Sequence, residues 1–68
     1  MDSNFELQNN EFLRQFETLV NGQLARIEYA EQQKKIFLTK LIIPNSINSI
    51  EFEKKFIKSV LEYLSDRN

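Results

Sequence analysis

From Gln23 to Ala30 apolar and polar positions alternate, with Ala25, Ile27 and Tyr29 on one side and Leu24, Arg26 and Glu28 on the other. A period of two over this length predicts a half-buried strand. The following Glu31-Gln32-Gln33-Lys34 is a polar connection, after which Lys35 to Ile43 is dense in β-branched and aromatic residues, as a central strand would be. Strict alternation there sends Ile36, Leu38 and Ile42 to one face and Phe37, Leu41 and Ile43 to the other, so both faces need cover. Pro44, which has no amide to give a ladder, marks the strand exit. Beyond it the period changes: Phe52, Phe56, Ile57, Val60, Leu61 and Leu64 recur at helical spacing from Ile50 to about Ser65. Asn48 or Ser49 supplies the cap, Glu51 and Glu53 suit the positive end of the dipole, and Arg67 suits the other end.

The stretch before the alternating strand carries two competing patterns. Phe12, Leu13, Phe16, Leu19 and Val20 fit a helical stripe, yet Phe16, Thr18 and Val20 also fit a strand. Asn21-Gly22 and the alternating strand after it favour strand, because both turn residues tolerate positive φ and the pair is a strong hairpin signal, while the periodicity of residues 12–20 leaves helix open. Met1 to Asn10 is polar apart from Phe5 and Leu7 and reads as a flexible N-terminal arm, leaving residues 11–68 as one small domain. The expected architecture is α+β: a three-stranded antiparallel sheet followed by one C-terminal helix.

A chain of 68 residues supports one domain at most and buries little surface to set against chain entropy. The sequence has no cysteine and no histidine, which removes disulfides, thiolate metal sites, and the commonest general base. The carboxylates are scattered without metal-ligand spacing, so no metal is expected. Nine basic and ten acidic residues give a net charge near zero, so no whole-molecule field draws nucleic acid or anionic lipid. The longest apolar run, Leu41-Ile42-Ile43, is far too short to span a bilayer, and the start has neither the basic residues nor the apolar stretch of a signal peptide. A cytoplasmic protein is expected.

Phe16-Glu17-Thr18-Leu19-Val20-Asn21-Gly22-Gln23-Leu24-Ala25-Arg26-Ile27-Glu28-Tyr29 resembles the opening hairpin of the small, single-domain GNAT-type N-acetyltransferases, which read like FEL-x-V-D-G-x-x-A-x-I-E-Y. Ile36-Phe37-Leu38-Thr39, Ile42-Ile43-Pro44 and Val60-Leu61-Glu62-Tyr63 are similar to the family as well, so the resemblance covers roughly Asn10 to Tyr63. It implies a truncated GNAT fold that binds acetyl-CoA through an R-G-x-G-x-G or R-G-x-G-x-A loop before the helix. Glycines there let the backbone approach the pyrophosphate, and the helix N-terminus donates to it. In this chain Asn48, Ser49, Glu51 and Glu53 occupy the arginine and glycine positions, so that cofactor-binding site is degenerate and no cofactor is expected. The strand and helix with which the family completes the cleft have no counterpart before Asn68.

Acyl transfer to an amine needs little beyond a bound thioester and a proton acceptor, for which Glu28, Tyr29 or Tyr63 would be the candidates. A solvent-facing strand position for Glu28 and packing roles for the two tyrosines are the expectation, with no catalytic residue. The leading functional reading is a non-catalytic, GNAT-like protein-interaction module, with a homodimer as the favoured assembly. Its interface candidates are Ile36, Leu38 and Ile42 on the sheet face left open by a helix whose contact stripe is Phe52, Phe56, Val60 and Leu64. Alternatively, the N-terminal arm folds Phe5, Leu7, Phe12 and Leu13 over that face. Two further readings are an N-acetyltransferase using acetyl-CoA through an atypical site, and a small nucleic-acid or acidic-partner module. The last would use Lys34, Lys35 and Lys40, or Lys54, Lys55 and Lys58.

Overall fold

The computed structural model describes residues 6–66; Phe5 of the arm and Arg67 at the helix end lie outside the described residues. Strands β1 (Gln8–Asn10), β2 (Gln15–Val20), β3 (Gln23–Gln32) and β4 (Lys35–Ile42) form an antiparallel sheet in the order β1-β2-β3-β4. A short 3-10 turn, Asn45–Ile47, leads to helix α1 (Ile50–Asp66), which lies across one sheet face. The α+β class is as the sequence predicts, but among the described residues there are four strands and not three. The extra strand is β1, the end of the polar N-terminal stretch, with Asn9 paired to Phe16.

β2 begins at Gln15, and Phe12 and Leu13, which completed the helical stripe, belong to the turn that precedes it. Phe12 is 93% exposed there. The β2–β3 connection is the expected two-residue turn, Asn21 at φ 53° and Gly22 at φ 77°. The β3–β4 connection uses the same left-handed conformation at Gln33 (φ 53°) and Lys34 (φ 69°), where no glycine relieves the Cβ contact. All connections within the sheet are thus local turns, and strand order follows chain order.

That order corrects the placement of Lys35 to Ile43. β4 is an edge strand, paired only with β3 among the described residues, and the inner strands are β2 and β3. The core lies between the inner strands and α1: Phe16, Ala25, Ile27 and Tyr29 from the sheet, Phe56 and Val60 from the helix. Phe52 and Leu64 pack against it as the helical stripe predicts, together with Leu7 of the arm. Phe16 makes a tilted contact with Tyr29, centroids 4.9 Å apart, and meets Tyr63 edge-on at 5.5 Å.

The sides of β4 also differ from strict alternation. Ile27 pairs with Leu41 and Glu28 with Lys40, but Tyr29 pairs with Leu38, so the register slips by one residue at Thr39. Directly opposed residues share a face. Ile36, Leu38 and Leu41 therefore lie on the helix side, whereas Lys35, Phe37, Lys40 and Ile42 lie on the open side. The trio Ile36, Leu38 and Ile42 does not share a face, because the irregularity reverses the parity after Thr39.

Candidate functional site

The passage from β4 into α1 is where the GNAT resemblance puts its cofactor loop. Pro44 leaves the strand at φ −57°, ψ 141°, the 3-10 turn closes with the Ile47 amide donating to Pro44 O, and the Asn48 amide donates to Asn45 O. Ile47 packs on the core and holds the segment down. Ser49 is the cap: its Oγ accepts the Phe52 amide at 3.0 Å and its carbonyl accepts the Glu53 amide at 2.9 Å. Asn48 stands outside the helix with an extended backbone. Glu51 and Glu53 sit in the first turn, so the positive end of α1 is already met by a hydroxyl and two carboxylates. An added pyrophosphate would meet those charges at a site with no arginine and no glycine. Ser49→Ala is expected to destabilise the domain by about 1 kcal/mol, read as a lower urea midpoint with an unchanged slope.

The three residues named for proton transfer do not converge. Glu28 lies on the open sheet face, its carboxylate 3.8 Å from Arg26 Nε. Tyr29 lies on the helix side, buried, and donates its hydroxyl to Asn9 Oδ1 at 2.8 Å. Burial pushes the Tyr29 phenol above its ordinary value of 10.0, against a smaller lowering from the Asn9 bond. It is a structural tie between β1 and β3. Beside it opens a cleft of about 690 Å³, lined among others by Asn9, Arg14, Phe16, Tyr29 and Leu64. Its charged rim is partly spent internally, since Arg14 and Glu31 pair at 3.4 Å. Among the described residues no group of three or more carboxylates is placed to hold a metal ion.

No family model, no curated protein and no solved structure matches this chain. The surface itself must carry the functional reading, and its most distinctive part is the β4 side of the molecule.

Nothing among the described residues pairs with the outer edge of β4, which offers eight residues of strand. Leu38 and Leu41, on its helix side, are each 37% exposed. Tyr63 reaches Phe16 on β2, while the next residue, Leu64, lines the cleft with Ile36 of β4. At 3.6 residues per turn Ile50, Ile57, Leu61 and Leu64 share one flank of α1. Ile57 and Leu64 are partly buried, but Leu61 is 53% and Ile50 71% exposed. The open strand edge thus carries exposed leucines, and α1 keeps an apolar flank outside its core stripe. Sequence periodicity counts Leu61 among the apolar helical positions but outside the contact stripe Phe52, Phe56, Val60 and Leu64, and takes β4 for a central strand. The missing signal was strand order, which no local pattern encodes.

Among the described residues no helix is long and apolar enough to cross a membrane. The lysines considered for an acidic partner divide between two places: Lys34, Lys35 and Lys40 on the β3–β4 turn and β4, and Lys54, Lys55 and Lys58 on α1. All six are exposed.

Proposed function

We propose that this chain is a non-catalytic, GNAT-like interaction module that takes an extended segment of another polypeptide along β4. The observation that carries the reading is the coincidence, among the described residues, of an unpaired eight-residue strand edge with exposed Leu38 and Leu41 on its helix side. Strand addition draws affinity from main-chain hydrogen bonds and selectivity from side-chain contacts on alternate positions. Here the helix-side positions of an added strand would meet Leu38 and Leu41. That contact removes apolar surface that a small domain otherwise leaves in water. The degenerate loop at Asn48, Ser49, Glu51 and Glu53 supports a role without acetyl-CoA. The opening hairpin and the strand–loop–helix passage support the kinship.

Peptide selection tests the proposal. Random peptides displayed against the intact chain, counter-selected on a Leu38→Asp, Leu41→Asp variant whose amide spectrum shows a folded domain, are expected to yield binders that lose affinity on the variant. Binders that hold both proteins equally, or no binders from a diverse library, would overturn it.

A further inference from the structure

We infer that the strand β4 accepts is amphipathic and acidic, apolar on the helix side and carrying carboxylates on the open side. This rests on the strand-addition reading and adds the chemistry of the partner. The slip at Thr39 is what sorts the β4 residues. Ile36, Leu38 and Leu41 share the helix side, while Lys35 and Lys40 share the open side with Phe37 and Ile42. β4 contains two lysines and no acid, and Lys34 precedes it in the turn. Ion pairs among the described residues join Arg14 to Glu31 and Arg26 to Glu28, leaving the three lysines outside them. Glu28, the cross-strand neighbour of Lys40, has its carboxylate beside Arg26 instead.

An incoming strand therefore meets two unneutralised ammonium groups on one side and leucines on the other. Because one residue is absorbed by the slip, Lys35 and Lys40 stand about four strand positions apart, roughly 13 Å. Carboxylates at positions i and i+4 of the partner face both, on the side opposite its apolar residues. A second copy is a poorer occupant. Two β4 strands would bring four lysines and no carboxylate of their own to the shared open side, and like charges across a strand pair are destabilising. β1, the other edge, offers three polar residues and no apolar face to match Leu38 and Leu41.

Two capped peptides, Val-Glu-Val-Thr-Val-Glu-Val-Thr and its counterpart with Lys for Glu, titrated into the intact chain under amide-resolved NMR, test the inference. The glutamate peptide is expected to shift amides of β4, to bind about tenfold or more tightly than the lysine peptide, and to weaken with added salt. Lys35→Glu with Lys40→Glu, both exposed and away from the core, should reverse the preference while keeping the folded spectrum. Equal binding of the two peptides at β4 would overturn the acidic partner and leave strand addition standing. Shifts confined to the Tyr29 cleft would overturn the site. Tighter binding of an oligothymidylate to the same lysines would replace the peptide by nucleic acid. A dimer in sedimentation that Leu41→Glu dissolves would make the occupant a second copy. Silence from both peptides overturns the inference, and silence in the random selection as well would remove the interaction reading beneath it.

Discussion

Phe56→Ala is expected to leave the domain largely unfolded at room temperature. Phe56 is fully buried, and with Val60 it is one of two α1 side chains that are. It packs in a tilted contact with Phe52, ring centroids 5.7 Å apart, and lies in the same core as Phe16, Ile27 and Tyr29. Truncating a buried phenylalanine costs about 3–5 kcal/mol, part transfer and part cavity. At roughly 0.05–0.15 kcal/mol per residue, a chain of 68 residues has about 3–10 kcal/mol in total. The loss is therefore comparable to everything holding the fold. Far-UV circular dichroism against urea would show a transition shifted to near zero denaturant. Leu61→Ala, one helix turn and a little beyond on the exposed flank, should stay within about 0.5 kcal/mol of wild type. If Phe56→Ala and Leu61→Ala unfolded at similar urea concentrations, the helix would be docked on a different stripe from the one described.

The contrast between those two residues shows what the sequence could carry. Helical spacing marked both as apolar positions, and the capping and charge pattern around Ser49, Glu51 and Glu53 placed the helix start correctly. Alternation in Gln23 to Ala30 and the Asn21-Gly22 turn likewise made the β2–β3 hairpin legible, because those signals depend on neighbours a few residues apart. Strand order depends on what packs beside what. A run as apolar as Lys35 to Ile43 reads as internal, and it is an edge because no further strand pairs with it among the described residues. β1 escaped for the opposite reason: Gln8-Asn9-Asn10 has turn-forming residues, and its pairing draws on side chains elsewhere. Asn9 accepts the Tyr29 hydroxyl, and Asn10 donates to Glu17, which also accepts from buried Gln15. The interface candidates failed to share a face through one slipped residue at Thr39, where the Thr39 hydroxyl donates to Glu28 O. A single irregularity reverses parity for the rest of a strand, and periodicity cannot anticipate it. What the slip produces, leucines on one side of the edge and lysines on the other, is the basis of the partner chemistry inferred for β4.

Thr18→Val, by contrast, should stabilise the domain by about 1–2 kcal/mol. Thr18 is 2% exposed on the helix side of β2, directly opposite Ala25. Its Oγ1 is buried with no hydrogen-bond partner among the described residues. A buried polar group in that position costs about 1–3 kcal/mol of desolvation. Valine places a methyl where the hydroxyl was, keeps the volume, and suits a strand at least as well as threonine. Thr18→Ser is the complementary change: it keeps the hydroxyl and removes the methyl, so it should destabilise by about 1 kcal/mol. In a domain of this size each kilocalorie moves Tm by roughly 4–8 °C, so the two variants should separate clearly in a thermal scan. A valine variant no more stable than wild type would mean that the hydroxyl has a partner, and the core would need redrawing around β2. The substitution also serves the functional question. β2 is separated from the open edge by β3, so Thr18→Val should leave peptide binding at β4 unchanged while raising the stability of the host. In that background the charge reversals at Lys35 and Lys40 and the substitutions at Leu38 and Leu41 report on binding, with unfolding moved out of the way.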